Sequence, residues 1–308
     1  MGINENQGAE PSTVTNLDEA TLRQIVEKKV TCPFVGSAVA TRRLPVRNTA
    51  DNPFASIEDV RTLGNTGKGS DLGEVLALFA SGNQTFMRGP SGQLDRRTPE
   101  GLFSLGFPGS KGAHPGHSGI LLEDPNAPDS GQFSESNFDR LADRAKEGYI
   151  TRSAVASFIA ENLHRDPNSK VFGVAVAGAL ARDLGHFVER VGPDLLAMLR
   201  GSEDRSDAHR DLEQKLTNLT GEDNLVGSGG EFGLLFAFLA NRPGAKEING
   251  EPALSLEDLR LMFVDKRLPD GWDTWKKTRA DWLTHSTALM LSAGKAYLEQ
   301  AKAKGAAV

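Results

Sequence analysis

The sequence contains very little sulfur and few polar aromatic side chains. Its 308 residues include one cysteine, two tyrosines and three tryptophans, against fifteen phenylalanines. A single cysteine excludes a disulfide within the chain, so any thiol chemistry must be carried by Cys32. A lone cysteine is most often a small buried apolar residue, and its number alone therefore favours a packing role.

Long apolar runs and an excess of positive charge are also missing. No uninterrupted apolar stretch reaches the roughly 20 residues that a membrane-spanning helix needs. The formal net charge is −6, which argues against a nucleic-acid-binding surface. The polar segment from Met1 to Val14 lacks the apolar core of a signal peptide. Together with the single cysteine, these features predict a cytoplasmic protein that partners neither nucleic acid nor membranes.

Alternating patterns of Val, Ile and Thr are scarce, so the sequence predicts an all-α protein. We expect residues 1–15 to be disordered and residues 16–308 to form a single helical domain. Capping residues predict helix starts near Asn16, Ser134 and Ser255. Apolar periodicity predicts further helices over 71–80, 153–162, 174–199 and 278–302. The segment 88–132 is dense in Gly, Pro and Ser and shows no clear period.

The sequence around Cys32 predicts a helix start. Pro33 suits the first helical position because its missing N–H needs no partner there. Cys32 then lies at the helix N-terminus, among unpaired backbone N–H groups and the positive end of the macrodipole. Such surroundings stabilise a thiolate, the form that attacks electrophiles and binds metals. We expect this helix to end near Leu44-Pro45.

Cys32-Pro33 and the stretch 44–48 resemble the opening of the haem-thiolate peroxidase family, which includes chloroperoxidase and the fungal unspecific peroxygenases. That family has a Pro-Cys-Pro motif at a helix start, followed by Leu-Pro-Arg-Asn. Here Thr31 replaces the first Pro, and Val46 is an extra residue before Arg47. The resemblance implies that Cys32 binds the iron of haem b. It also implies that neighbouring helix residues contact the haem: Pro33, Phe34 and Ala38.

The apolar segment 230–239 is similar to a helix of the short family members that a Gly-Glu pair opens. The resemblance implies that Glu231 is the acid–base that cleaves peroxide. We expect Glu231 at the helix start, where the dipole favours a carboxylate; a dipole contact alone is the other interpretation. Phe232 and Phe236 share a helix face and are candidates for lining the distal channel, whereas Phe238 is expected to pack in the core.

The segment 261–272 looks like the C-terminal signature of the short members. In those proteins a Phe is followed by Glu-Arg-Leu-Pro and then by Gly-Trp-Lys. Here the matching residues include Arg267-Leu268-Pro269 and Trp272. We expect them to be structural, with Trp272 packed under a loop.

The segment 133–141 is similar to the family's Phe-Asn-x-x-x-Phe, which follows a cation site. The resemblance implies a Mg²⁺ site at Glu123, with Ser130 the nearest candidate for the serine ligand. Asp124 stands where the family has the His that pairs with the distal Glu. His117 is the candidate substitute for that His, and a surface role in a Gly-rich and Pro-rich loop is the alternative.

Taken together, the resemblance implies an enzyme that uses hydrogen peroxide to oxygenate or oxidise small organic substrates, or halide, through a ferryl intermediate. Two alternatives stay open: a non-catalytic haem-binding sensor that uses Cys-Pro, and a cofactor-free helical interaction module. Residues 170–223 have no counterpart in the short members. We expect this helical insertion to be a cap over the pocket or a contact in a homo-oligomer.

Overall fold

The computed structural model describes residues 14–28, 30, 32–47, 53–76, 84–86, 102–108, 133–165, 171, 224–239 and 241–303. Helices predominate in this part of the chain, as predicted, but two small antiparallel sheets are present. The all-α class is therefore corrected to a mainly helical fold with minor β-structure. The predictions for residues 1–13, and for the insertion apart from Val171, concern residues outside the described ranges.

The helices are α1 (Glu19–Lys28), α2 (Pro33–Ala40), α3 (Ile57–Gly64), α4 (Glu135–Ala142), α5 (Arg152–Arg165), α6 (Asn224–Leu239), α7 (Leu256–Phe263) and α8 (Arg279–Ala303). The strands are β1 (Phe54–Ser56), β2 (Gln84–Phe86), β3 (Leu102–Pro108), β4 (Tyr149–Thr151), β5 (Lys246–Ile248) and β6 (Glu251–Ser255). None of the helices described here combines the length and the apolar character that crossing a membrane requires.

Local capping explains where several helices begin. The Asp18 Oδ1 accepts a hydrogen bond from the Thr21 N–H at 2.7 Å, just before α1. Ser134 and Ser255 are the N-caps of α4 and α7, where each hydroxyl accepts a backbone N–H of the first turn. Side-chain acceptors at these positions satisfy N–H groups that a helix start leaves unpaired. The predicted starts near Ser134 and Ser255 are thus confirmed.

Both sheets join segments that lie far apart in the sequence. In the first sheet β3 is the central strand, and Ser104 lies opposite Phe54. In the second sheet β6 is central, and Leu254 lies opposite Ile150. Because these pairs are non-local, the short strands carry little periodic signal of their own. Strand β3 lies in the segment 88–132, for which the sequence showed no period.

The core of the fold is built where α6 packs against α8 and α5. Two glycines of α6 allow a close approach to α8. A Cβ placed on Gly233 lies 1.9 Å from the Ser286 Oγ, and one placed on Gly229 lies 2.4 Å from the Met290 Cγ. Small residues are therefore required on this face. This packing outweighs the low helix propensity of glycine, and α6 extends through the whole Gly-rich stretch.

Two predicted helix boundaries are wrong. The helix carrying Glu231 starts at Asn224, so this carboxylate lies about two turns inside α6 rather than at its N-terminus. The dipole argument for Glu231 therefore does not hold, since that effect fades beyond the first turn. Helix α2 ends at Ala40, before Leu44, because the chain turns at Arg42 with a φ of 58°.

Candidate functional site

Cys32 is the N-cap of α2, and Pro33 occupies the first helical position, as the sequence predicted. The Cys32 backbone is extended, with φ −78° and ψ 118°, and its carbonyl accepts the Gly36 N–H at 2.8 Å. The residue keeps some solvent exposure, while α2 is buried from Phe34 to Val39. The thiol therefore lies at the end of a helix that penetrates the core.

The protein surroundings oppose ionisation of the free thiol. Burial raises the pKa of Cys32 to about 11, and the negative charge of Glu231 acts in the same direction. The backbone N–H groups of Val35 and Phe34, and the Lys266 ammonium, lower this pKa by smaller amounts. The N–H groups at the helix N-terminus favour a thiolate, as the sequence predicted, but desolvation by the core has the larger effect and raises the pKa of the free thiol.

Glu231 lies on the face of α6 that is directed toward α2. It shares this face with Leu235 and Phe238, at spacings of four and seven residues. The Phe238 ring stacks on Phe34 with 5.0 Å between ring centroids. This contact holds the Glu231 face of α6 against the beginning of α2. The structure thus brings Cys32 and Glu231 close enough for their charges to interact.

Phe232 and Phe236 lie on a different face of α6. Phe232 makes an edge-on contact with Phe158 of α5, at 6.2 Å between centroids. Phe236 stacks on His285 of α8, at 5.2 Å. These contacts favour packing roles for both rings, since helix geometry rotates them away from the Glu231 face. A place in the distal channel stays a prediction for them, whereas Phe238 is the ring that contacts α2.

The other residues predicted to contact the cofactor are parts of the buried helix. Ala38 is completely buried. The Phe34 ring contacts both Phe238 and Trp272, with 5.6 Å between the Phe34 and Trp272 centroids. Trp272 is completely buried, as expected, and its Nε1 has no hydrogen-bond partner among the described residues. Haem contacts by Pro33, Phe34 and Ala38 stay predictions.

Sequence reasoning missed two residues that bear on the surroundings of Cys32, Ser37 through its hydrogen bonds and Lys266 through its charge. The Ser37 hydroxyl lies within donor distance of two carbonyl oxygens, that of Pro33 at 2.8 Å and that of Met262 at 2.9 Å, and the second contact links α2 to the end of α7. Lys266 follows α7 and is half-buried, and its charge acts on Cys32. Lys266 lies within the matched segment 261–272, but only its position in the fold shows that it is near the thiol.

Four predicted site residues lie outside the described ranges: His117, Glu123, Asp124 and Ser130. The Mg²⁺ site and the distal partner of Glu231 therefore stay predictions. Over the ranges that the structure describes, no group of three or more His, Cys, Asp or Glu side chains could hold a metal ion.

A haem would need one thiolate from the protein, and Cys32 is the residue that could supply it. The Phe34 and Val35 N–H groups stabilise negative charge on this sulfur. The unpaired Trp272 Nε1 is a further buried donor in the aromatic cluster next to α2.

Comparison with known proteins returns no relative: the chain matches no family model, no curated protein and no solved structure. The assignment of function therefore depends on the chemistry of the residues around Cys32 and Glu231.

Proposed function

We propose that this chain is a haem-thiolate peroxidase or peroxygenase. Cys32 would hold the haem iron, and Glu231 would carry the protons of hydrogen peroxide. The observation that supports this assignment is the pairing of a thiol and a carboxylate on facing helices, close enough for their charges to interact. The substrates we propose are small organic molecules or halide.

Cys32 would hold the iron of a haem as the thiolate, so its thiol proton would have to leave. The Val35 and Phe34 N–H groups then face a full negative charge rather than a neutral thiol. When bound, a thiolate-ligated haem supplies the redox chemistry and favours O–O cleavage. Pro33 keeps the N-terminus of α2 in place because its ring pre-organises the first helical residue.

Glu231 is the one charged residue in α6, whose sequence is NLVGSGGEFGLLFAFL. Its side chain is partly exposed, whereas its neighbours from Phe232 to Leu239 are buried. A single carboxylate in an otherwise apolar helix is suited to general acid–base catalysis. It would take a proton from one oxygen of peroxide and deliver it to the other oxygen. Such general acid–base catalysis typically contributes about 10²–10⁴-fold.

The absorption spectrum of the purified chain supplied with haem tests the assignment. We expect a Soret band that shifts, in the reduced CO complex, to the position typical of thiolate ligation. Cys32→Ala should abolish this signature. Glu231→Gln should keep it but reduce peroxide-dependent oxidation by about 10²–10⁴-fold. Glu257→Gln, which changes an exposed carboxylate on α7, is the matched control and should leave the rate unchanged.

Retention of the native spectrum and activity in Cys32→Ala would overturn this proposal. A spectrum as expected, with negligible turnover and no effect of Glu231→Gln, would instead support a haem-binding sensor. The raised pKa of Cys32, about 11, is the observation that favours this second candidate, because protonation would compete with the iron for the sulfur.

Both functions need a reduced Cys32, so we propose a reducing compartment such as the cytoplasm.

A further inference from the structure

The Lys277 ammonium is buried against two indole rings. The side chain is completely buried, which is rare for lysine. Its Nζ lies 4.6 Å from the centroid of the Trp272 ring and 5.1 Å from that of the Trp275 ring. The Nζ also donates hydrogen bonds to the carbonyl oxygens of the same two residues, at 2.5 and 3.0 Å. A positive charge is therefore fixed beside both indoles and kept away from water.

These two indoles belong to the aromatic cluster that joins α2 to α6, which consists of Phe34, Phe238, Trp272 and Trp275. Trp272 contacts Phe34, two residues after Cys32, with 5.6 Å between the ring centroids. The Trp275 Nε1 donates to the Phe238 carbonyl at 2.7 Å. Indoles lose electrons more readily than phenyl rings do. The most oxidisable side chains of the cluster therefore pack directly on the helix that Cys32 caps.

The surroundings of Trp272 oppose the loss of an electron from its ring. An ammonium over a neutral indole face is attracted to it. It repels the radical cation that remains after one electron has left, and this repulsion is strong where water is excluded. The Trp272 Nε1 also has no hydrogen-bond acceptor among the described residues, so no base lies beside the N–H to take its proton. Charge and the missing acceptor therefore act in the same direction.

Other charges near Lys277 occur in pairs. Asp273 attracts the ammonium and Arg43 repels it, and these two residues form an ion pair with each other. Asp71, whose N–H donates to the Lys277 carbonyl, pairs with Arg279. Because each of these charges has a partner of opposite sign, the ammonium is the charge that dominates the field at the indoles.

We propose that Lys277 disfavours one-electron oxidation of Trp272 and Trp275, so that an oxidant at the candidate site takes electrons from its substrate and not from these indoles. In the disfavoured step one electron passes from an indole to a one-electron oxidant, which is thereby reduced, and no bond of the protein breaks. The meaning for catalysis rests on the proposed function, whereas the charge effect also holds in the haem-free protein. A lysine that only fastens the segment 272–277 through its hydrogen bonds is the competing interpretation.

Photo-oxidation of the haem-free protein at pH 7 separates these interpretations. The probe is tris(bipyridine)ruthenium, converted to its one-electron-oxidised form by light and persulfate, and peptide masses report the oxygen added at each tryptophan. Trp282, on α8 and outside the cluster, is the internal reference. Lys277→Met should raise the yield at Trp272 and Trp275 relative to Trp282 by about tenfold, as expected for the loss of a charge within about 5 Å. Lys276→Met changes an exposed neighbour and should leave the ratio unchanged.

The wild-type protein supplies a second test without any substitution, because replacement of a buried lysine can also loosen the packing. Burial lowers the pKa of Lys277 to about 8, so a change from pH 7 to pH 9 removes most of its charge. We expect the yield at Trp272 and Trp275, relative to Trp282, to rise over this range in the wild type and to stay constant in Lys277→Met. A ratio independent of pH in the wild type, or an equal rise at all three tryptophans in the variant, would overturn the proposal.

The two proposals fail in distinguishable ways. A protein that binds no haem would reject the proposed function and leave the photo-oxidation yields intact. Normal thiolate ligation, combined with yields that do not depend on Lys277, would reject the role of Lys277 alone. In the haem-loaded protein treated with hydrogen peroxide and no organic substrate, we expect more oxygen added at Trp272 in Lys277→Met than in the wild type.

Discussion

Phe238 of α6 stacks on Phe34 of α2 with 5.0 Å between the ring centroids and 29° between the ring planes. Both rings also contact Trp272, at 5.6 Å from Phe34 and 5.1 Å from Phe238. This cluster joins the helix that Cys32 caps to the helix that carries Glu231. The position of the carboxylate relative to the thiol therefore depends on the packing of three aromatic side chains.

Truncation of the rings in this cluster should destabilise the fold. A double-mutant cycle should show that Phe34 and Phe238 couple the two helices energetically. We expect Phe238→Ala and Phe34→Ala each to lower the free energy of unfolding by about 3–5 kcal/mol. In a double-mutant cycle the pair should show a coupling of about 0.5–1.5 kcal/mol, typical of stacked rings. Urea unfolding measures both quantities. Leu283→Ala, at a side chain that is 45% exposed, is the control, and strictly additive effects would contradict the coupling.

Gly233→Ala should destabilise the protein although alanine is the better helix former. The added methyl group lies 1.9 Å from the Ser286 Oγ, so α6 and α8 must separate. We expect an overpacking cost of about 1–3 kcal/mol, beyond the helix-propensity gain of about 1 kcal/mol. Thermal and urea unfolding check this. Ser286→Gly should restore part of the loss, and a stabilised Gly233→Ala protein would contradict the close packing.

Lys277 should make stability depend on pH. Its ammonium is completely buried, and its Nζ donates to the Trp272 and Trp275 carbonyls at 2.5 and 3.0 Å. Burial lowers the pKa of Lys277 from 10.5 to about 8. Between these values the unfolded chain binds more protons than the folded one, so this residue contributes stability that grows as the pH rises.

The expected readout is the difference in unfolding free energy between the wild type and Lys277→Met at pH 7, 8, 9 and 10. Above pH 8 the unfolding free energy of the wild type should rise relative to that of the variant. The loss of the two hydrogen bonds in the variant adds a difference that does not change with pH. Lys276→Met changes an exposed neighbour and should show no such trend. A difference that is flat with pH would show that Lys277 titrates normally.

Haem affinity should rise with pH. The pKa of Cys32 is raised to about 11, so under the proposed function haem would have to displace a proton from the sulfur at neutral pH. Affinity should therefore increase by up to about tenfold per pH unit below this value. Soret titrations at pH 6, 7, 8 and 9 measure it. Residual binding to Cys32→Ala should lack this slope, and equal slopes in both proteins would exclude the thiol as the ligand.

Short-range signals in the sequence predicted the starts of α2, α4 and α7. Ser134 and Ser255 cap helices because a hydroxyl can satisfy backbone N–H groups within three residues, a contact that needs no tertiary structure. Pro33 likewise marks the start of α2 through its own ring geometry. The first sheet was missed because Phe54 pairs with Ser104, and no local pattern encodes such a partner.

For the candidate site, the sequence by itself determined that a single thiol stands at the start of a helix and that one carboxylate interrupts a long apolar segment. Only the tertiary structure decided how these groups behave. The helix that carries Glu231 starts at Asn224, so this carboxylate lies in a helix interior rather than at a helix end. Burial is the largest influence on the pKa of the Cys32 thiol and raises it, and the charge of Lys266, from a distant segment, acts in the opposite direction. Desolvation and long-range charge depend on every element packed around an atom, and neighbouring residues in the sequence do not encode them.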